Sequence, residues 1–325
     1  MPAGEAPAPG HAPLLFAMAW WGAFYGAQGA VAPLLADSFS LSDAEIARAL
    51  GWIGCSALGA LALGHFVDRL GRRRVLLACL AGLPLCALAT AVAPSIGHYV
   101  AAQIAAYAFG TTLLSTVSVA LAERLARADC ARAHGRAGLA YTAATALPLV
   151  LVALLATAPG SWRWVWAATA LPVLAWPWAR RGLVESTAWR AAQQRGETAR
   201  ARLSDPFRSA WRGRALRLLL AMVCVHASET AIRTWLFYHA VRELGLDPRR
   251  ALLILLAGGV VSLAGFRAGS ALADRFGRRT AFAAGTALAA AGAYGFYGPG
   301  APVGDVGLGL SFATLGLGGH VATVA

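Results

Sequence analysis

Gly64-His-Phe-Val-Asp68-Arg69-Leu70-Gly71-Arg72-Arg73-Arg74 sets a pattern that Gly269-Ser-Ala-Leu-Ala-Asp274-Arg275-Phe276-Gly277-Arg278-Arg279 repeats far downstream. The shared core is Asp-Arg-(Leu/Phe)-Gly-Arg-Arg, and each copy is wedged between two long apolar runs. A repeat of this kind marks a chain built from two related halves. Glycine at 71 or 277 lets the backbone turn tightly after a helix, since it takes positive φ without steric cost. The aspartate before it places negative charge at a crowded helix end. There it can pair with a nearby arginine or cap the N-terminus of a neighbouring helix.

Outward from these two loops the chain is a series of apolar segments. A helix needs roughly 17 to 25 mostly apolar residues to cross a bilayer. Ten segments qualify: 14–35, 46–66, 75–93, 99–121, 137–158, 162–179, 215–240, 251–272, 280–297 and 303–325. The sixth is short and carries Pro172 and Pro177, which blur its end. Composition agrees: 58% of the 325 residues are hydrophobic and 13% charged, where a soluble domain carries about 25% charged residues. The net charge of +13 falls in short stretches between spans, which points to a lipid bilayer as partner and away from nucleic acid. All 28 basic residues are arginine, and with abundant alanine and glycine this composition fits a bacterial genome of high G+C content. Cys55, Cys79, Cys86, Cys130 and Cys224 form no CxxC pair, and all but Cys130 lie in apolar runs, as small core residues do. No metal-spaced cluster, phosphate loop or nucleophile motif is present, so neither an enzyme nor a cofactor is expected. The first 13 residues lack the basic stretch of a cleavable signal, so the first apolar run is expected to stay as a helix.

Orientation follows from arginine bias in the short loops. One side collects Arg69, Arg72, Arg73 and Arg74, then Arg124, Arg127, Arg132 and Arg136, the segment 180–214, and Arg275, Arg278 and Arg279. The other holds little beyond Arg163, Arg242, Arg249 and Arg250. The first side is expected to be cytoplasmic, with the N-terminus inside and the chain integral to a bacterial inner membrane. The segment 180–214 separates an expected six-helix bundle (1–179) from a four-helix one (215–325). Its middle, 185–208, is expected either to form amphipathic helices on anionic headgroups or to act as a flexible tether.

Both loops resemble the signature loop of the major facilitator superfamily, Gly-x-x-x-Asp-(Arg/Lys)-x-Gly-(Arg/Lys)-(Arg/Lys). The first copy matches throughout; in the second, Ser270 stands where the leading glycine is expected. Trp162-Arg163-Trp164 and Val184-Glu185-Ser186-Thr187-Ala188-Trp189 are similar to elements of the sugar and organic-ion branch, with Val184 and Thr187 replacing two prolines. Glu123 is similar to an acidic residue at the end of the family's fourth span. The resemblance implies an all-α membrane fold working by alternating access. It assigns Asp68, Arg69, Gly71, Arg72, Asp274, Arg275, Gly277, Arg278, Glu123, Arg136 and Glu185 to a cytoplasmic latch that closes one state. It also implies twelve spans, two more than are found here, with Asp68 meeting the eleventh and Asp274 meeting the start of the fifth near Arg136. An antiporter element is missing from the fifth span, which argues against drug efflux by proton exchange.

Ionisable residues at mid-membrane depth cost about 2.5 kcal/mol or more, so their default reading is functional. In the seventh span, His226, Glu229 and Arg233 follow the i, i+3, i+7 spacing of one helical face. Glu229 is the candidate for proton uptake, Arg233 for an anionic substrate and His226 for a relay; a self-neutralised Glu229–Arg233 pair is the competing account. Tyr25, Gln28, Gln103, Tyr107, Thr111 and Thr112, with Trp235 and Tyr238, either line a cavity for a small polar solute or bond helix to helix. The expected function is secondary transport of a small organic solute, a sugar or an organic ion, by proton symport. A non-transporting membrane sensor, or a degenerate fragment of a transporter, is the alternative.

Overall fold

The computed structural model describes residues 11–125, 127–155, 160–196, 212–298 and 304–324. These residues form helical rods, and where the connections are described they are short turns. The first half comprises α1 (His11–Ser38), α2 (Asp43–Ile53), α3 (Ser56–Leu70), α4 (Arg72–Ala91), α5 (Ile96–Arg124) and α6 (Arg127–Leu155). A broken rod follows: α7 (Trp162–Ala170), a 3-10 turn (Leu171–Ala175) and α8 (Trp176–Gly182), then the short α9 (Thr187–Gln194). Beyond it come α10 (Arg212–Tyr238) with a π-helical turn (His239–Glu243), α11 (Pro248–Ser262), α12 (Ala264–Phe276), α13 (Arg278–Tyr297) and α14 (Asp305–Val324). Among the described residues, five rods are long and apolar enough to cross a membrane: 43–70, 72–91, 96–124, 133–155 and 248–276.

The repeat seen in the loops extends into the helices. The rod before each loop starts on a polar cap. Ser42 donates its backbone N–H and hydroxyl to Glu45 Oε2 at 2.9 and 2.7 Å, while Asp247 accepts from the N–H groups of Arg249 and Arg250 at 2.9 and 3.2 Å. Each rod breaks midway, at Gly54–Cys55 and at Leu263, where i→i−3 bonds tighten the backbone. Each ends on a glycine in the positive-φ region, Gly71 at φ 96° and Gly277 at φ 84°. Proline explains the broken sixth rod: Pro172 opens the 3-10 turn and Pro177 starts α8.

The chain divides into two compact units, Met1–Ala133 with Ala140–Thr230, and His134–Leu139 with Ala231–Ala325. Within the first, α1 is buried on almost every side, from Leu14 to Ala36, so its apolar residues show no one-faced pattern. Close approach is licensed by small residues. A Cβ at Gly22 would collide with the Tyr141 carbonyl oxygen, and one at Gly26 with the Thr145 carbonyl oxygen. This is the small-xxx-small contact of membrane helices. In the second unit the backbone of α14 plays the partner: a Cβ at Gly265 would meet Leu317 O at 2.5 Å, and one at Gly292 would collide with Leu315 N.

The segment expected to be an amphipathic helix or a tether is partly helical. α9 forms there, and residues 197–211 lie outside the described ones. Of the cysteines, Cys79 is buried, while Cys55, in the turn between α2 and α3, and Cys224, on α10, are exposed, so these two are not core residues.

Candidate functional site

Two sites emerge in the first unit, one at the arginine-loop end and one among the aromatic rings of α1, α5 and α6. At the loop end, Gly71 turns the chain from α3 into α4 and leaves the first N–H groups of α4 open. Glu185, far away in sequence, fills them. Its Oε1 accepts from Arg72 N at 2.9 Å and its Oε2 from Arg73 N at 3.1 Å, while Ser186 N also donates to Oε1 at 3.0 Å. A carboxylate at a helix N-terminus answers both the open donors and the helix dipole. The fit also needs glycine for a second reason: a Cβ at position 71 would collide with Glu185 Oε2.

Arg72 joins this cap to α5. Its guanidinium grips Glu123 with two bonds, Nε to Oε2 at 3.1 Å and Nη2 to Oε1 at 2.8 Å, in the fork geometry that lysine cannot make. The same group reaches Asp68 at 3.1 Å and the Val67 carbonyl at 3.2 Å. Arg73 donates to the carbonyls of Leu183 and Arg180, Arg124 donates to that of Val184, and the Trp189 indole donates to Asp68 O at 2.7 Å. Ser186 caps α9 by accepting from Trp189 N. The structure thus brings Asp68, Gly71, Arg72, Glu123 and Glu185 into one network. Arg69 is exposed beside it.

The second loop copies the backbone and not the network. Asp274 and Arg136 are both exposed, and among the described residues no ion pair joins them. The Arg275 guanidinium lies 5.2 Å from the Phe276 ring centre. No described atom comes within 4 Å of where a Cβ at Gly277 would be. Arg278 begins α13 and is exposed.

The second site is a ring cluster. Tyr107 on α5 lies 5.1 Å from Trp21, 5.9 Å from Tyr25 and 6.4 Å from Phe24, and Tyr25 lies 5.9 Å from Tyr141 on α6. Gly110 makes room for Trp21, whose ring fills the place a Cβ there would take. The Tyr107 hydroxyl is buried without a hydrogen-bond partner, while Tyr25 and Tyr141 are half-buried. Gln103 is fully buried and donates to Thr90 Oγ1 at 2.9 Å on α4, so it ties two helices together; its Oε1 is unpartnered. Gln28 is buried on α1, Thr112 bonds back to the Ala108 carbonyl, and Thr111 is exposed on the outer face of α5. In the second unit, the Trp235 and Tyr238 rings meet edge to face at 5.0 Å. The side chains of His226, Glu229 and Arg233 lie outside the described residues, although their backbone is helical within α10. Sequence reasoning missed Trp21 and Tyr141 in the cluster and Arg73 and Trp189 at the loop. The four-residue step from Trp21 to Tyr25 was the available signal for the first.

Among solved structures, the xylose transporter XylE from E. coli, in a partially occluded inward open conformation, is similar with a TM-score of 0.74 at 17% identity, over 97% of this chain and 82% of that one. A crystal structure of a D-xylose-proton symporter gives 0.69 at 16%, over 96% and 79%. The nucleoside transporter NupG, as a point mutant, gives 0.69 at 14%, over 97% and 81%. At these identities the likeness shows the fold. No curated protein matches the chain. The profile of the Major Facilitator Superfamily matches residues 14–325, and with the doubled arginine loop and the shared fold the chain belongs to that superfamily of secondary transporters, which are not enzymes.

Proposed function

We propose that this transporter moves a small polar organic solute, a sugar or an organic ion, by alternating access and proton symport. The observation that carries the reading is the Trp21–Tyr25–Tyr107–Tyr141 cluster with its buried, unpartnered phenol hydroxyl. Clustered rings with a few hydroxyls are suited to a solute with both C–H faces and hydroxyl groups. The similar folds of a xylose–proton symporter and a nucleoside transporter support the same class of cargo. In this reading Glu229 takes up and releases the proton, Arg233 meets any anionic group and His226 relays. Residues 1–179 and 215–325 form the two bundles, joined by 180–214. The arginine-rich ends and the N-terminus face the cytoplasm of a bacterium, in its inner membrane. Asp274, Arg275, Arg278 and Arg136 hold that face closed in one state, while Asp68, Arg72, Glu123 and Glu185 brace the first loop in every state.

Uptake by the purified chain in proteoliposomes tests this. A panel of labelled pentoses, hexoses, nucleosides and organic ions is offered with and without an inward proton gradient. One class is expected to accumulate only with the gradient. Glu229→Gln is expected to abolish accumulation while leaving exchange of substrate down its own gradient. Tyr107→Phe is expected to weaken apparent affinity about tenfold, as the loss of one buried hydrogen bond to substrate would. Accumulation unchanged by Glu229→Gln would overturn the coupling role.

A further inference from the structure

A cavity of about 500 Å3 opens beside the Gly71 turn, between the α3–α4 junction and α9. Arg73, Arg74 and Arg190 line it together with Leu70, Val184 and Trp189. We propose that this cavity binds the phosphate headgroup of an anionic phospholipid, with Arg74 and Arg190 as its cationic ligands and Leu70 and Val184 against the first acyl carbons.

The charge count favours an anion. Glu185 also borders the cavity, so one carboxylate, turned toward three backbone N–H groups, stands against the three arginines and the balance stays positive. Arg73 donates to two carbonyls, which leave its charge uncompensated. Among the described residues no carboxylate pairs with Arg73, Arg74 or Arg190. Three guanidinium groups around one concavity form a site for phosphate oxygens, which arginine binds in a planar fork.

Position favours a lipid as the source of that phosphate. The spans 43–70 and 72–91 both have the length and hydropathy to cross the membrane, and Gly71 is the turn between them. The cavity therefore lies where the chain leaves the hydrocarbon, at headgroup level. Leu70 and Val184 are 45% and 39% exposed on its rim, apolar surface that water would not reward. Arginines above and aliphatic side chains below match the amphiphilic profile of a phospholipid. α9 carries Trp189 and Arg190 side by side, one buried against the Asp68 carbonyl and the other exposed at the cavity.

Native mass spectrometry of the full chain, released from detergent with phosphatidylglycerol or phosphatidylcholine, tests the proposal. The wild type is expected to retain phosphatidylglycerol in preference to phosphatidylcholine. Arg74→Gln with Arg190→Gln is expected to lower that preference roughly tenfold, since each arginine near a lipid surface contributes measurably to anionic binding. Arg190→Gln alone, on an exposed helix position, is the milder variant and is expected to give part of the loss. Arg48→Gln with Arg249→Gln removes the same charge elsewhere and is expected to leave the preference intact. Equal loss in both double variants would mean general surface attraction and overturn the site, as would no loss in the first. Displacement of the lipid by millimolar inorganic phosphate would overturn the lipid source and assign the cavity to a soluble phosphate.

Discussion

Arg72 holds more of the structure than its place in an arginine-rich loop implies. Its side chain is 10% exposed, it grips Glu123 with two bonds, and it pairs with Asp68. Removing one partner of so enclosed a pair strands the other, at a cost set by desolvation more than by the lost attraction. Arg72→Gln is therefore expected to cost about 2 kcal/mol, scaled down from a fully buried pair because Glu123 keeps some contact with water. Arg72→Lys is expected to recover less than half of this, because an ammonium cannot span both oxygens. Pairing Arg72→Gln with Glu123→Gln is expected to cost less than the two single changes summed, and thermal unfolding in detergent would show the coupling. Strict additivity would mean the pair is incidental. Neighbouring arginines behave differently: Arg74 is exposed and, among the described residues, holds no carboxylate. Nothing in the run Arg72-Arg73-Arg74 distinguishes them, because the distinction comes from what α5 and the segment before α9 deliver to each.

At the scale of helices, identical glycines carry opposite consequences. Gly22 faces the backbone of α6 so closely that Gly22→Ala is expected to destabilise by about 2 kcal/mol or more, by overpacking. Gly51, helical and with nothing within 4 Å of a Cβ, is expected to tolerate alanine or gain a few tenths of a kcal/mol. Unfolding temperatures of the two variants check this directly, and equal effects would contradict the crossing geometry of α1 and α6. The rods themselves were legible in the sequence, since apolar runs of spanning length and an arginine loop on either side leave little freedom. The equivalence of the halves was legible from Asp68 and Asp274, and the structure extends it to the caps at Ser42 and Asp247. The close crossings were not legible: helices buried on all sides lose the one-faced pattern that tells which glycine meets a neighbour. Glu185 was found through resemblance alone. Its place as the cap of α4 depends on a contact 113 residues apart, which no local pattern encodes.

At the scale of the whole molecule, the two arginine loops share a backbone and differ in what surrounds it. The first is fastened by Glu123, Glu185 and Trp189, all within one compact unit, so its bonds persist when that unit moves as a body. The second carries an exposed Asp274 close to a glycine with open space around it. A contact that is absent in one state and formed in another shifts the population of states, and one always present contributes to stability alone. The two loops are therefore expected to respond differently to the same kind of change. Glu185→Gln weakens the cap of α4 and is expected to lower the unfolding temperature. Asp274→Asn is expected to leave it unchanged and instead to raise hydrogen exchange across 269–279 in the presence of substrate. The size follows from a solvent-accessible ion pair of somewhat under 1 kcal/mol, about a threefold change in the closed population. Asp274→Asn lowering the unfolding temperature as far as Glu185→Gln would place both loops in the static framework and remove the second from the latch. Unchanged exchange with unchanged stability would show that Asp274 finds no partner in either state.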